Sequence, residues 1–208
     1  MTAPVVPVLT VDPDELIIDA LLPRWDAQLA EHAIVHAPPA ATYRVARELD
    51  FVTIHTPLLD AAIWLRGLPG RIAGTEPPPP PRLVPAEQTG AMPGWVMLGE
   101  RPDRELTFGA IGRFWTPSIE WRDVPPSAFA DFAEPGWGKI VVAFVVSPYG
   151  TGSSLLTYEC RTITADDESR EQFLRYWRLI RPFVAHIFRA TVGTVRRTAE
   201  SGVTPAGR

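Results

Sequence analysis

The plainest pattern lies in the last third of the chain. At about 100° per residue, Phe173, Trp177, Ile180, Val184, Ile187, Phe188 and Val195 fall in one apolar stripe, while Arg175, Arg178 and Arg189 lie largely opposite. The spacing predicts a long amphipathic helix over 166–200. Asp166, Asp167, Glu168 and Glu171 gather at its start and Arg196 and Arg197 near its end, which complements the helix dipole. Pro182 has no N–H to give to the preceding turn, so a kink or short break is expected after Arg181, at the expense of a hydrogen bond near Arg178.

Upstream the period of the pattern shortens to that of strands. Residues 137–147 and 154–164 read as two long strands joined by Pro148-Tyr149-Gly150-Thr151-Gly152. Residues 95–100, 105–115 and 118–123 read as an antiparallel meander, and 125–132 holds one helical turn. Glu31 to Ala37, closed by Pro38-Pro39, reads as the first strand. Two short helices follow, over Pro39–Leu49 and Pro57–Leu68. Ahead of all this, Asp12, Pro13 and Glu15 are arranged like an N-cap, a first-turn proline and a capping-box acid before Leu16, Ile17, Ala20 and Leu21, predicting a short leading helix. Between Leu68 and Gly94 stand Pro69, Pro77 to Pro81, Pro85 and Pro93, and neither a helix nor a central strand persists through such a run. The expected organisation is an extension over 1–30, a main domain over 31–200 interrupted by a proline-rich insertion at 69–93, and a disordered tail over 201–208.

Composition narrows the class. The chain has 208 residues, 46% of them hydrophobic and 21% charged, enough for one packed core and too polar for a membrane bundle. A net charge of −4 provides no global basic field, so nucleic acid is not an expected partner. The basic residues are arginines except for Lys139, and there are 23 prolines, a bias that a GC-rich genome explains. Cys160 is the one cysteine, which excludes an internal disulfide and fits a reducing cytoplasm. No export signal is legible and no apolar run reaches the ~18 residues of a span, so integral membrane association is not expected.

One strand, two short helices, a meander and a long closing helix require a sheet curved around that helix. The segments EHAIVHAPPAATYRVARELD (31–50), GRFW (112–115), GKIVVAFVVSPYGTGSSLLTYECRT (138–162) and FLRYWRLIRPFVAHIFRATVGTVRR (173–197) resemble, in order and texture, the helix-grip superfamily. That group, also called SRPBCC, includes START lipid-transfer domains, birch-pollen-allergen proteins and polyketide cyclases. The resemblance implies an α+β helix-grip fold: a curved antiparallel sheet wrapped around a long C-terminal helix, with two short helices after the first strand. It also implies a cavity between the concave face, the short helices and the long helix, of the kind used for sterols, lipids, polyketides, hormones or hydrophobic cofactors. The leading helix and the proline-rich insertion depart from the compact pattern and either lid the cavity or cover an outer edge.

Strand parity selects candidate lining residues. With Thr157, Glu159 and Arg161 outward, Leu156, Tyr158 and Cys160 face inward. With Lys139 outward, Ile140, Val142, Phe144 and Val146 face inward. With Glu105, Thr107 and Arg113 outward, Leu106, Phe108, Ala110 and Phe114 face inward. Joined by Trp177, Ile180 and Val184 from the long helix, these make an apolar, aromatic-rich wall suited to a hydrophobic small molecule, and the same residues equally describe a filled core. Tyr158 and His55 are the candidates for chemistry, as an orienting phenol and a general base at the cavity mouth.

Other chemistries fail on spacing. There is no Walker loop around Lys139, no GxGxxG at Gly150, and no GxSxG, HExxH or EF-hand pattern. His32 and His36 share a face but lack a third ligand, so no metal and no cofactor is expected. The leading expectation is a cytoplasmic, non-enzymatic carrier of a hydrophobic small molecule, lipid or polyketide-like. Its rival is a polyketide cyclase, aromatase or dehydratase, in which His55 or Tyr158 converges with an acid. A third reading is a protein-interaction domain with a collapsed cavity, homodimeric through exposed tryptophans such as Trp121 or Trp137.

Overall fold

The computed structural model describes residues 12–50, 94–116 and 118–202. Its elements are α1 (Ile17–Leu21), β1 (Ala27–Val35), α2 (Pro39–Arg47), β2 (Trp95–Arg101), β3 (Glu105–Arg113), β4 (Glu120–Arg122), α3 (Pro126–Phe129), β5 (Gly138–Tyr149), β6 (Ser153–Thr164) and α4 (Asp167–Ser201). The strands form one open antiparallel sheet in the order β1-β6-β5-β3-β2, with β4 beside the end of β3. This is the α+β helix-grip arrangement expected from the order of elements. The second short helix, the proline-rich insertion and His55 lie outside the described residues.

The long hairpin is the spine of the sheet. β5 and β6 pair over their whole length, from Gly138 opposite Thr164 to Tyr149 opposite Ser153. Gly150 and Gly152 take positive φ of 61° and 75° in the turn, a conformation that glycine adopts without steric cost. β1 begins at Ala27, four residues before the expected start, because Asp26 anchors it. Its N–H donates to the Thr162 carbonyl at 2.8 Å, and its Oδ2 accepts from the Thr164 N–H and hydroxyl, each at 2.8 Å.

α4 runs unbroken through Pro182 to Ser201, so the expected break is absent and the helix takes in the start of the expected tail. Pro182 is exposed, and the carbonyl it leaves unpaired on that side is open to water, which lowers the penalty of a helix-interior proline. Asp166 caps the first turn, accepting from the Ser169 N–H and hydroxyl, each at 2.8 Å.

Strand parity is as expected, but the outer face is not a solvent face. α1 and α3 cover it, and Ile17, Ile18, Leu21, Leu98, Ile111, Phe129, Val141 and Ala143 form a second core there. Glu105, Glu159 and Arg161, expected to point outward to water, are buried beneath this cover. Burying such charges is tolerable because they are paired. Glu105 accepts from Arg101 Nη1 at 2.8 Å and from the Ile17 N–H at 2.8 Å. Arg161 reaches Glu159 at 2.6 Å and Asp19 at 2.7 Å, and it lies over the Trp25 ring at 4.3 Å.

The leading helix therefore starts differently from the expected capping box. Its N-cap is Leu16, with no side-chain cap, and Asp12 Oδ1 instead accepts from the Asp14 N–H at 2.9 Å. The first helical N–H is satisfied by Glu105, 88 positions away in sequence. Replacing Glu105 with Ala strands that N–H and takes a buried carboxylate away from Arg101, which keeps the Asp12 and Glu15 carbonyls. The expected cost is about 3–5 kcal/mol and a melting temperature lower by about 10 °C in thermal denaturation. Glu105→Gln, which keeps an acceptor for Ile17, is expected to lose less.

Candidate functional site

The inner face of the sheet divides into a filled end and an open end. At the filled end Leu106, Phe144 and Leu156 are wholly buried in one cluster with Val35, Tyr43 and Ala46. Tyr43 of α2 ties that end shut: its hydroxyl donates to Glu100 Oε1, which Arg47 also contacts at 2.7 Å. Burial and the carboxylate together hold the Tyr43 phenol well above its ordinary pKa.

The boundary between the two ends is a three-ring stack. Phe144 lies 4.3 Å from Tyr158, its cross-strand neighbour, and Tyr158 lies 4.2 Å from Phe188 of α4. Beyond it the sheet and helix separate around a cavity of about 260 Å³. β5 and β6 contribute Ile140, Val142, Tyr158, Cys160 and Thr162, and α4 contributes Phe173, Tyr176, Trp177, Ile180, Val184 and Phe188. The side opposite the stack is made by Trp95, Phe114, Ile119 and Trp121. These rings support one another, with Trp121 at 6.2 Å from Trp95 and 5.8 Å from Phe114.

Of the residues selected by parity, the structure gathers Phe114, Ile140, Val142, Tyr158, Trp177, Ile180 and Val184 around this cavity. It places Leu106, Phe144 and Leu156 in the filled end, and Phe108 against Trp95 at 5.6 Å. Trp95, Ile119 and Trp121 were not selected. β2 changes register between Met97 and Gly99 and β4 is three residues long, so neither has an alternation long enough to orient its side chains. Trp137, read as an exposed interface residue, is buried beneath the Arg113 guanidinium, 4.7 Å from its ring. Trp121 is half-buried in the cavity wall.

The chemistry of the wall is set by desolvation. Burial raises the Tyr158 phenol well above its ordinary pKa. It pushes the Cys160 thiol up to about 12, against the smaller opposing effect of a hydrogen bond with Thr162. Both groups therefore remain protonated at neutral pH. Among the described residues that line the cavity there is no carboxylate and no histidine, and no cluster of three metal-ligating side chains occurs among the described residues. His32 bonds Thr157 Oγ1 through Nδ1 at 2.9 Å, and His36 is exposed, its backbone N–H donating to Glu200.

Two other concavities differ in character. One of about 170 Å³ lies on the outer side against Phe132, Trp137, Lys139 and Ile163. There Lys139 is half-buried, donates to the Ala130 carbonyl at 2.7 Å, and has its pKa lowered by burial. The other, about 350 Å³, is polar and lies at the start of α4 among Arg113, Gly136, Asp166 and Ser169. Of these three, the inner cavity is the one that combines sheet, meander and long helix with an aromatic wall.

No family model and no curated protein matches the chain. Among solved structures, it is similar to protein MLL2253 from Mesorhizobium loti, with 13% identity over 83% of this chain and 98% of that one and a TM-score of 0.38. It is also similar to the Zhui aromatase/cyclase from Streptomyces sp. R1128, with 15% identity, 87% and 98% coverage and a TM-score of 0.28. A third is Ara h 8.0201, with 12% identity, 81% and 97% coverage and a TM-score of 0.32. The overlaps are too loose to carry chemistry from one protein to another. The helix-grip resemblance holds at the level of fold, which stands on the strand register and the placement of α4.

Two outcomes follow from the stack and the buried thiol. Phe188→Ala removes the helix-borne ring and is expected to cost about 3–5 kcal/mol in urea denaturation. The Cys160 thiol, raised from 9.0 to about 12, is about a thousandfold poorer in thiolate at pH 8 than an ordinary thiol. Its reaction with a chromogenic disulfide is therefore expected to be much slower in the folded protein than in guanidinium, since burial restricts both ionisation and access. Because the folded pKa is the higher one, stability from this group is present below pH 9 and lost as the pH rises from there toward 12.

Proposed function

We propose that the inner cavity binds a hydrophobic small molecule, lipid or polyketide-like, and that this protein carries or sequesters it. The observation that supports this reading most directly is the cavity wall: it is built from aromatic and aliphatic side chains of the sheet, the meander and α4, next to a core end that is fully packed. A chain selected only for a filled core would continue the Phe144–Tyr158–Phe188 packing across the whole inner face. Here the packing stops and a cavity of about 260 Å³ begins. On this reading residues 31–200 carry the binding unit, and α1 closes the opposite face.

Carriage fits the wall better than acid–base chemistry. Proton transfer works best with groups titrating near the operating pH, whereas Tyr158 and Cys160 are both held protonated by desolvation. In this environment they serve as polar landmarks, a hydroxyl and a thiol that orient a ligand's single polar group within an apolar pocket.

The test is mass spectrometry of the purified protein under native and then denaturing conditions. The expected result is a released apolar compound at near-stoichiometric amount, or, for protein purified empty, saturable uptake of an anilinonaphthalene dye. Val184→Trp fills the cavity from the helix side and is expected to abolish uptake while leaving the circular dichroism spectrum unchanged. Uptake by Val184→Trp equal to that of the parent protein would place the ligand elsewhere and sink this reading.

A further inference from the structure

The outer side of α4 is the most one-sided surface on the molecule. Between Glu171 and Glu200 the chain has no acidic residue and six arginines, although its net charge is −4. Arg175 is paired with Glu171 at 3.0 Å. Arg178, Arg181, Arg189 and Arg196 are exposed and form no ion pair with a described carboxylate. Arg197 is also exposed, with one bond to Thr194 at 3.2 Å.

Helical geometry gathers these charges into a ridge. At about 100° per residue Arg178, Arg189, Arg196 and Arg197 share an arc of about 100°, spread over about 28 Å of helix axis, with Arg181 at its flank. Leu179 lies in the same arc and is 80% exposed, on the side of the helix away from the stripe that faces the sheet and the cavity. A single exposed leucine, or an arginine-rich helix, is ordinary by itself. Together they match the two layers of a membrane interface. Guanidinium forks pair with lipid phosphates, and a protruding apolar side chain enters the boundary with the acyl chains. Nucleic acid would use the arginines but gain nothing from Leu179. No described helix is long and apolar enough to cross a membrane, so the association is peripheral.

We infer that the outer face of α4, through Arg178, Leu179, Arg189, Arg196 and Arg197, docks this protein reversibly on an anionic phospholipid surface. The negative charge elsewhere on the molecule orients it, turning this helix toward the membrane and the remainder away. The inference is independent of what the inner cavity holds, since every residue in it faces away from that cavity.

The experiment is co-sedimentation of the full chain with vesicles of phosphatidylcholine alone and of phosphatidylcholine with one-third phosphatidylglycerol. Binding is expected only to the anionic vesicles and is expected to be lost in 1 M salt, where the Debye length is about 3 Å. The triple substitution R178Q/R189Q/R196Q is expected to weaken binding on the order of a hundredfold, about fivefold per arginine. Leu179→Ser is expected to give a smaller loss that persists at low salt. Dye uptake and melting temperature stay at parent values in both variants, which separates failure here from failure of the cavity reading. Equal binding to both vesicle types, full binding by the triple variant, or binding to duplex DNA or polyglutamate in place of vesicles overturns the inference.

Discussion

A sheet that is apolar on both faces must be covered on both, and this requirement shapes the rest of the molecule. The inner face has a 35-residue helix to cover it; the outer face has α3 and α1, the latter a helix of five residues. So short a helix has almost no stability of its own. It persists because Glu105 receives its first N–H, Arg101 and Arg104 hold the carbonyls of the segment before it, and Arg161 holds the carboxylate of Asp19 within it and the carbonyl of Leu22 just after it. Strand side chains thus do for α1 what its own sequence does not. Ile18, placed by them, is wholly buried.

On the inner face the same physics gives an uneven result. The tight pairing of β5 with β6 and the stack through Tyr158 draw α4 down at one end, where α2 also packs. Toward its N-terminus α4 rests on Trp115, whose ring meets Phe173 edge to face at 6.2 Å, while Trp177 of the helix itself stacks on Phe173 at 6.1 Å. The cavity is bounded by aromatic rings on one side and by the packed stack on the other.

Charge is distributed by the same division of labour. Acids and arginines that lie beneath α1 are consumed in pairs, as in Glu105 with Arg101 and Glu159 with Arg161. Among the described residues, the arginines along the outer arc of α4 have no carboxylate partner of this kind. A net charge close to neutral for the whole chain conceals this polarity, because the sum does not record which charges are internal.

The sequence by itself determined the element types and the parity of the long strands. Periodicity over ten or more residues is a strong signal, and it placed α4, the β5–β6 hairpin and the inward orientation of Ile140, Val142 and Tyr158. It did not determine where Glu105, Glu159 and Arg161 end up. A charged residue on an alternating strand signals a face turned away from the first core, and says nothing of whether a distant segment will cover that face. The capping of α1 by Glu105 and the burial of Trp137 under Arg113 are likewise long-range contacts with no local trace. Nor could parity separate cavity wall from filled core, since Phe144 and Val142 carry the same pattern on the same strand face. Only the tertiary packing of α2 and α4 over this face decides that Phe144 is packed and Val142 borders the cavity.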